Sequence, residues 1–285
     1  GLHVTGDTQV RTTIMGGAIS NNTAAAQGGG LWNEAGSILV ISEGTTISGN
    51  RASGASSNDG GGGLFNHGGR VAISSASIWG NMADGINGSG GGMFSTGGAV
   101  TLDNSTVSEN SANGDGGGIA NSGELITANA TIAKNRSDAD GVGGGTGGGI
   151  WIGGVVTLKN TIVAGNLVGS GITLNDLAGI NVHPSSRNNL ISDASSSGGL
   201  VDGNLGNIVG NGGSGLLPFS SILNSLADNG GPTLSHSLAV GSLAIDHGSN
   251  SAATDINGTP LQHDQRGIGF PRINNTIVDI GAIES

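Results

Sequence analysis

Four aromatic side chains recur at one position of the chain, and flat aromatic faces in a column could bind a ligand. Each follows the apolar residue after a run of glycines, and the four are Trp32, Phe65, Phe94 and Trp151. A fifth copy of the pattern has Ala120 in this place. An exposed column would suit sugar rings or another protein. If the glycine-rich loops fold over the rings, these form a small satellite cluster of the core instead, and the sequence leaves both hypotheses open.

The acidic residues do not form the pattern that glycan-degrading enzymes need. A hydrolase needs two carboxylates at a set separation, and a lyase usually combines a carboxylate-bound cation with an Arg or Lys base. No two acidic residues are adjacent, and the six histidines show no metal-ligand spacing. Asp138 and Asp140, which alternate in a glycine-rich loop, are a candidate calcium site, with a solvated loop as the alternative. We therefore predict no catalytic residues and no cofactor other than calcium.

A repeat of 25 to 31 residues organises the first part of the chain. Glycine runs recur at residues 28–30, 61–63, 90–92, 116–118 and 147–149, each followed by an apolar residue. A second motif, a β-branched residue, two variable residues and an asparagine, gives Asn22, Asn50, Asn81, Asn110, Asn135 and Asn166. Asparagines that recur at one turn can form a ladder of side-chain hydrogen bonds between stacked copies. We predict such a structural ladder rather than a catalytic role.

Short strands separated by turn residues fill each repeat. Val100 and Leu102 alternate with other residues, and Val156 and Leu158 repeat this strand period. No apolar spacing of three and four residues continues long enough to predict a helix. Three short strands per repeat predict an all-β fold, a parallel β-helix of roughly eight to ten coils stacked at about 4.8 Å. Residues 1–166 would form the repeated coils, and residues 167–285 would continue the coils and cap them in the same domain.

The composition excludes several classes of protein. Glycine accounts for 59 of the 285 residues, without the strict three-residue period of collagen. The formal net charge is −11 and only two lysines are present, so we expect no nucleic-acid partner. Cysteine is absent, which excludes a disulfide framework and thiolate chemistry. No apolar run is long enough to predict a transmembrane helix.

Two sets of motifs resemble proteins of bacterial surfaces. Gly16-Gly17-Ala18-Ile19, the Gly-Gly-Gly-Leu/Ile copies and the Ile/Val-x-x-Asn copies, over about residues 14–166, resemble the repeats of polymorphic outer-membrane-protein-like β-helices. Residues 226–233, 241–246, 264–267 and 279–284 resemble the C-terminal part of surface proteins with a choice-of-anchor domain. The resemblance implies a right-handed parallel β-helix outside the cell or on its surface. The right hand also follows from the usual crossover rule.

We therefore predict an extracellular or cell-surface protein with a structural or adhesive role and no active site. Its partners would be a surface glycan or protein, or other copies of itself joined head to tail into filaments, because no amphipathic helix covers the first coil. A β-helix polysaccharide lyase or glycoside hydrolase is the alternative. The last forty residues are expected to fold back along or over the C-terminal coils, tied by ion pairs among Asp246, Asp264, Arg266 and Asp279.

Overall fold

The structure, a computed structural model, describes residues 1–6, 11–255 and 258–285, and most of it is a parallel β-solenoid. The solenoid has about six turns, whose faces are three sheets. This confirms the all-β, parallel architecture that the repeat predicts. The number of turns is lower than the expected eight to ten, because the last stacked strand is Ile208–Val209 and the rest of the chain adds no coil.

Sheet A, the largest of the three sheets, has two rows of strands joined by two long strands. Its first row comprises Leu2–Val4, Leu31–Asn33, Leu64–Ser74, Met93–Asp103, Ile119–Asn121, Ile150–Ile152 and Leu177–Gly179. The second row comprises Arg11–Met15, Ile38–Ser42, Glu124–Ala128 and Val155–Lys159. The two long strands, Leu64–Ser74 and Met93–Asp103, run through both rows, and their second halves belong to this one.

Sheets B and C form the other two faces of the solenoid. Sheet B comprises Ala18–Ser20, Thr46–Ser48, Ser77–Trp79, Thr106–Ser108, Thr131–Ala133, Ile162–Ala164, Leu190–Ile191 and Ile208–Val209. Sheet C comprises Thr23–Ala24, Arg51–Ala52, Met82–Ala83, Ser111–Ala112, Arg136–Ser137, Leu167–Val168 and an antiparallel last strand, Thr173–Leu174. The helical segments are one short α-helix, Phe219–Ile222, and the 3₁₀ turns Ala194–Ser196, Asn204–Gly206 and Asn250–Ala252.

Apolar side chains stack in register inside the solenoid. In sheet B one fully buried column contains Ile47, Ile78, Val107, Ile132 and Val163. Because every coil places the same kind of side chain over the previous one, the core is a narrow column that the short alternating strands can fill.

The glycine runs lie where the chain turns from sheet C into sheet A. Gly61 has a φ of +62°, in the left-handed region that favours glycine. A Cβ atom on Gly62 would collide with the carbonyl oxygens of Met82 and Gly91. Since the backbones of neighbouring coils approach this closely at every turn, glycine is required there, which accounts for much of its abundance.

The recurring asparagines form a continuous hydrogen-bonded ladder. The Nδ2 of each donates to the Oδ1 of the next at 2.9 Å, through Asn22, Asn50, Asn81, Asn110, Asn135 and Asn166. The same Oδ1 accepts the backbone N–H of the preceding asparagine at 2.9 to 3.1 Å. All of them except Asn22 are buried, so these hydrogen bonds satisfy polar groups that water cannot reach.

Asp176 takes the next place in the ladder, a position that the repeat does not predict. Its Oδ1 accepts the backbone N–H and the Nδ2 of Asn166 at 3.1 and 2.9 Å. Its Oδ2 accepts the hydroxyl of Ser192 at 2.6 Å and the backbone N–H of Asp193 at 3.1 Å. Burial raises the pKa of Asp176 to about 6, although these hydrogen bonds oppose the rise.

Residues 216–255 and 258–285, the C-terminal segment, run back along the outer face of sheet B. The Nε2 of His236 lies 2.8 Å from the hydroxyl of Ser108, and Thr106 donates to the Oε1 of Gln265 at 2.6 Å. Of the two expected paths, along or over the coils, the structure therefore has the first. Apolar contacts join Ala133, Ile162, Ala164 and Leu190 of the solenoid to Leu217, Ile222, Leu223, Ala244 and Ile280 of this C-terminal segment.

A fully buried arginine, absent from the motifs that the sequence suggested, anchors the C-terminal segment. The Nη2 of Arg272 lies 3.0 Å from the Oε1 of Glu284 and donates to the carbonyl of Asp279 at 2.8 Å. Its Nη1 donates to the Oδ1 of Asn104, on the solenoid, at 3.3 Å. Burial lowers the pKa of Arg272 and raises the pKa of Glu284 to about 7.

Of the four residues expected to tie this segment together by ion pairs, Asp264 and Arg266 form one, at 2.6 Å. Among the described residues Asp246 and Asp279 form none; instead the backbone N–H of Asp246 donates to the Oδ1 of Asp279 at 2.8 Å. The Oδ2 of Asp279 accepts the N–H of Ser285 at 2.8 Å, which fixes the end of the chain.

Candidate functional site

The aromatic side chains form one row on the outer face of sheet A. The strands place Trp32, Phe65, Phe94, Ala120 and Trp151 in register, one per coil. The rings of Trp32 and Phe65 are stacked, with centroids 6.2 Å apart, and those of Phe65 and Phe94 meet edge to face at 5.5 Å. The sequence pattern therefore identifies a real spatial row, which we call the aromatic row.

Burial divides the aromatic row into a covered middle and two partly exposed ends. Phe65 and Phe94 are only 1% and 5% exposed, whereas Trp32 and Trp151 are half-buried. The glycine runs pass beside the row, and a Cβ atom on Gly90 would be 2.7 Å from the Cβ of Phe94. A continuous exposed column does not exist, because the two phenylalanines at its centre are buried. Together with Ala120 they form the satellite cluster, against which the two tryptophans pack with part of each side chain exposed.

The Trp32 end carries two histidines and one glutamate. The ring of His3 meets Trp32 edge to face at 4.0 Å, and the ring of His67 lies 5.6 Å away. Glu34 lies between the histidines, 3.1 Å from the Nδ1 of His67 and 3.9 Å from the Nε2 of His3. The hydrogen bond to His67 lowers the pKa of Glu34. Sequence spacing gives no reason to pair these residues, because stacking in register brings them together.

The Trp151 end borders a cavity of about 380 Å³, which we call the corner cavity. Its apolar wall consists of Phe94, Ala120 and Trp151. The ring of Trp151 lies over Gly153, where a Cβ atom would collide with it. The polar wall comes from the turns between sheets C and A in successive coils, and it includes Asn58, Asn87, Asn113 and Asp115. An aromatic face opposite polar side chains can hold a ligand that is apolar on one face and polar at its edges.

Hydrogen bonds hold side chains of the polar wall of the corner cavity in place, and several acceptor atoms of this wall stay unpaired. The Oδ1 of Asp115 accepts the N–H and the hydroxyl of Thr146 at 2.8 and 3.1 Å. Asn113 and Asn87 donate their Nδ2 to backbone carbonyls at 2.9 and 3.2 Å. Within the described residues, the Oδ2 of Asp115 and the Oδ1 atoms of both asparagines have no hydrogen-bond partner. The wall is therefore rigid and rich in acceptors.

The candidate calcium residues, Asp138 and Asp140, form part of a turn beside the corner cavity. The Oδ1 of Asp138 accepts the N–H of Gly144 at 3.3 Å, and that of Asp140 accepts the N–H of Val142 at 3.0 Å. Both carboxylates thus bind backbone of their own loop. Among the described residues, no group of three or more His, Cys, Asp or Glu side chains is placed to hold a metal ion.

No helix in the described part of the chain is long and apolar enough to cross a membrane. Comparisons of the chain with models of protein families, with curated proteins and with solved structures found no match in any of the three. The geometry of the aromatic row and of the corner cavity is therefore what bears on function.

Proposed function

We propose that the chain is an extracellular or cell-surface protein with a structural and adhesive role and no catalytic activity. The observation that carries this proposal is the half-exposed Trp151 beside the polar corner cavity, on a stack of coils that the asparagine ladder holds rigid. Such a surface suits a glycan or a protein of another surface. The resemblance to bacterial surface β-helices supports the location and the right-handed winding of the coils.

The test is binding of the purified chain to a glycan array and to cells, with and without the exposed tryptophans. The double variant Trp32→Ala/Trp151→Ala should lose binding while keeping the circular dichroism spectrum of the fold. Trp79→Ala is the matched control, because this third tryptophan lies on sheet B and outside the aromatic row. Unchanged binding by a folded double variant would remove the aromatic row from the proposed function.

Head-to-tail assembly is a second proposal, favoured by the first coil. Its strands Leu2–Val4, Arg11–Met15, Ala18–Ser20 and Thr23–Ala24 pair only with the second coil among the described residues. Unpaired strand edges are templates for other strands. Electron microscopy should show filaments that lengthen with protein concentration, and short rods of one length at every concentration would contradict assembly.

A polysaccharide lyase or glycoside hydrolase remains the alternative function. The corner cavity is the place where such an activity would be sought, yet Asp115 is the one carboxylate in its wall and no lysine or arginine lines it. A screen on uronate-containing and neutral glycans, with and without calcium, separates the two functions. Released reducing ends or unsaturated products in that screen would replace the adhesive role with an enzymatic one.

A further inference from the structure

We propose that the corner cavity binds a single pyranose ring of a neutral glycan, with the sugar stacked on Trp151. This inference rests on the proposed adhesive function and assigns its ligand class. The cavity lies beside the half-buried Trp151, and its apolar wall continues over Phe94 and the fully buried Ala120. Its volume of about 380 Å³ lies in the range of small-molecule sites.

The polar wall of the corner cavity offers a ligand both acceptors and a donor. Among the described residues, the acceptors without partners include the Oδ2 of Asp115 and the Oδ1 atoms of Asn87 and Asn113, and the side-chain amide of Asn58 has no partner either. Sugar hydroxyls can donate to the acceptors and accept from the amide. A hydroxyl that donates to a carboxylate makes a charge-assisted hydrogen bond, which is the stronger kind. The ring face of a pyranose, lined by C–H groups, would lie against the indole of Trp151.

The charge of the corner cavity selects against acidic sugars. Asp115 is the one charged side chain in the wall, and the residues that line the cavity, all of them described, include no lysine or arginine. The neighbouring turn adds Asp138 and Asp140, and the chain as a whole carries a net charge of −11. A uronate or a phosphorylated sugar would place its negative charge against these carboxylates without a cation to offset it.

The corner cavity is formed before any ligand arrives. Its loops come from successive coils and are joined by backbone hydrogen bonds, such as that from Gly114 N–H to the carbonyl of Gly88 at 2.8 Å. The N–H of Asp115 also donates to the hydroxyl of Ser89 at 3.2 Å. Binding would therefore cost little ordering of the protein, and this makes a weak, millimolar affinity for one sugar ring attainable.

The experiment is a titration of the full chain with three methyl glycosides, a neutral hexoside, an N-acetylhexosaminide and a hexuronide, followed by ligand-observed NMR. We expect millimolar binding of at least one neutral glycoside and binding of the hexuronide that is at least about tenfold weaker. Asp115→Asn keeps an acceptor for Thr146 and removes the charge, so the ratio of neutral to acidic affinity should fall. A purely structural role of Asp115 would leave that ratio unchanged.

Two further variants test the location. Trp151→Ala should abolish binding of the neutral glycoside, and Ala120→Phe should do the same, because a larger side chain at this buried position must displace Trp151 or enter the cavity. Trp79→Ala, on sheet B and outside the aromatic row, is the matched control and should bind as the parent does. Circular dichroism and thermal unfolding of each variant show whether the fold is kept.

The outcomes separate this inference from the proposed function. If the chain binds glycans on an array but Trp151→Ala and Ala120→Phe bind the neutral glycoside as the parent does, the proposed sugar site in the corner cavity is wrong. The proposed adhesive function is then unaffected. Array binding without binding of any methyl glycoside also overturns the single-ring site. If the chain binds neither a glycan on the array nor any of the methyl glycosides, both the sugar site and the adhesive function fail. Tighter binding of the hexuronide would overturn the neutral ligand class.

Discussion

The repeated coils and the C-terminal segment are held together by opposite kinds of contact. In the coils one hydrogen bond recurs, as from Asn50 to Asn81 and from Asn81 to Asn110, each at 2.9 Å. In the C-terminal segment each contact occurs once, as between Arg272 and Glu284 at 3.0 Å. The coils therefore distribute their stability over copies, whereas the segment concentrates its attachment in a few buried groups. Substitutions in the two regions should differ in size and in how far their effects spread.

The largest effect is expected at Arg272. Arg272→Met leaves Glu284 and the carbonyl of Asp279 buried without their partner, and breaking a buried ion pair costs about 3–5 kcal/mol. The free energy of unfolding from urea titration and the rate of proteolytic cleavage within residues 216–285 measure it. Because Arg272 ties this segment together and joins it to Asn104 of the solenoid, the segment should detach before the coils unfold.

The control for this prediction is Arg51→Met, which removes the exposed ion pair with Asp84 at 2.6 Å. Such surface pairs contribute little to stability, because solvent screens the two charges. Equal loss of stability in the two variants would mean that burial does not increase the contribution of the Arg272 ion pair to the free energy of unfolding. Cleavage in the coils ahead of the C-terminal segment would contradict the order of unfolding.

A smaller effect is expected in the middle of the asparagine ladder. Asn110→Ala leaves the backbone N–H of Asn81 without its acceptor and removes one of the acceptors of its Nδ2, at a cost of about 2–3 kcal/mol. Asn22→Ala, at the partly exposed start of the ladder, should cost less than about 1 kcal/mol. Chemical denaturation of both variants measures the difference. A ladder whose members contributed equally, regardless of position, would give two similar values.

The next effect concerns the end of the ladder. Asp176→Asn places an amide NH₂ against either the N–H of Asp193 or the N–H of Asn166, so donors face donors. We expect a loss of about 1–2 kcal/mol in the free energy of unfolding. Asp140→Asn is the control, because the exposed Asp140 uses one oxygen as an acceptor and an amide oxygen can replace it. Greater stability of Asp176→Asn than of the parent would show that desolvation of the carboxylate outweighs its hydrogen bonds.

The smallest effect is a dependence on pH within the C-terminal segment. Burial raises the pKa of Glu284 to about 7 from an ordinary value of 4.5, so the folded chain binds this proton more readily than the unfolded chain. The stability that the group contributes is present at low pH and is lost as pH rises through about 7. Lowering the pH from 8 to 6.5 should therefore raise the melting temperature of the parent relative to Glu284→Gln.

The pH window excludes the opposing effect of His236. Burial lowers the pKa of His236 to about 4 from 6.5, so its contribution is lost as pH falls below 6.5. Above pH 6.5 the titration of Glu284 therefore outweighs that of His236 in the change of stability with pH. A melting-temperature difference between parent and Glu284→Gln that stays constant from pH 8 to 6.5 would show that Glu284 does not titrate in this range.

The repeated part of the fold can be predicted from sequence because the same residue pattern recurs in every copy of the repeat. The columns of Ile47, Ile78 and Val107 and the recurring asparagines give the parallel stack, with its strands and turns. The number of coils cannot be obtained in this way, since the two motifs stop at Asn166, whereas stacked strands continue to Ile208–Val209 and the residues after them pack outside the stack.

The site could be predicted only in part. Register brings Trp32, Phe65, Phe94 and Trp151 into one row, as the spacing indicates. Their exposure depends on how the rings pack against one another and on the turns between sheets C and A, which no residue pattern encodes. The corner cavity also depends on Asn113 and Asp115, whose neighbours come from other coils. Arg272 meets Asn104 across 168 residues of chain, and a contact that occurs once leaves no repeated pattern to detect.

The asparagine ladder gives the stack of coils a polarity. Along the ladder each side-chain amide donates to that of the next coil, so this row of hydrogen bonds has one direction, and it starts with the acceptor atom of Asn22. Two first coils brought face to face would oppose acceptor to acceptor. The other end of the ladder is the carboxylate of Asp176, which also only accepts. The row that joins one coil to the next thus has a direction inside the molecule and presents an acceptor at both of its ends.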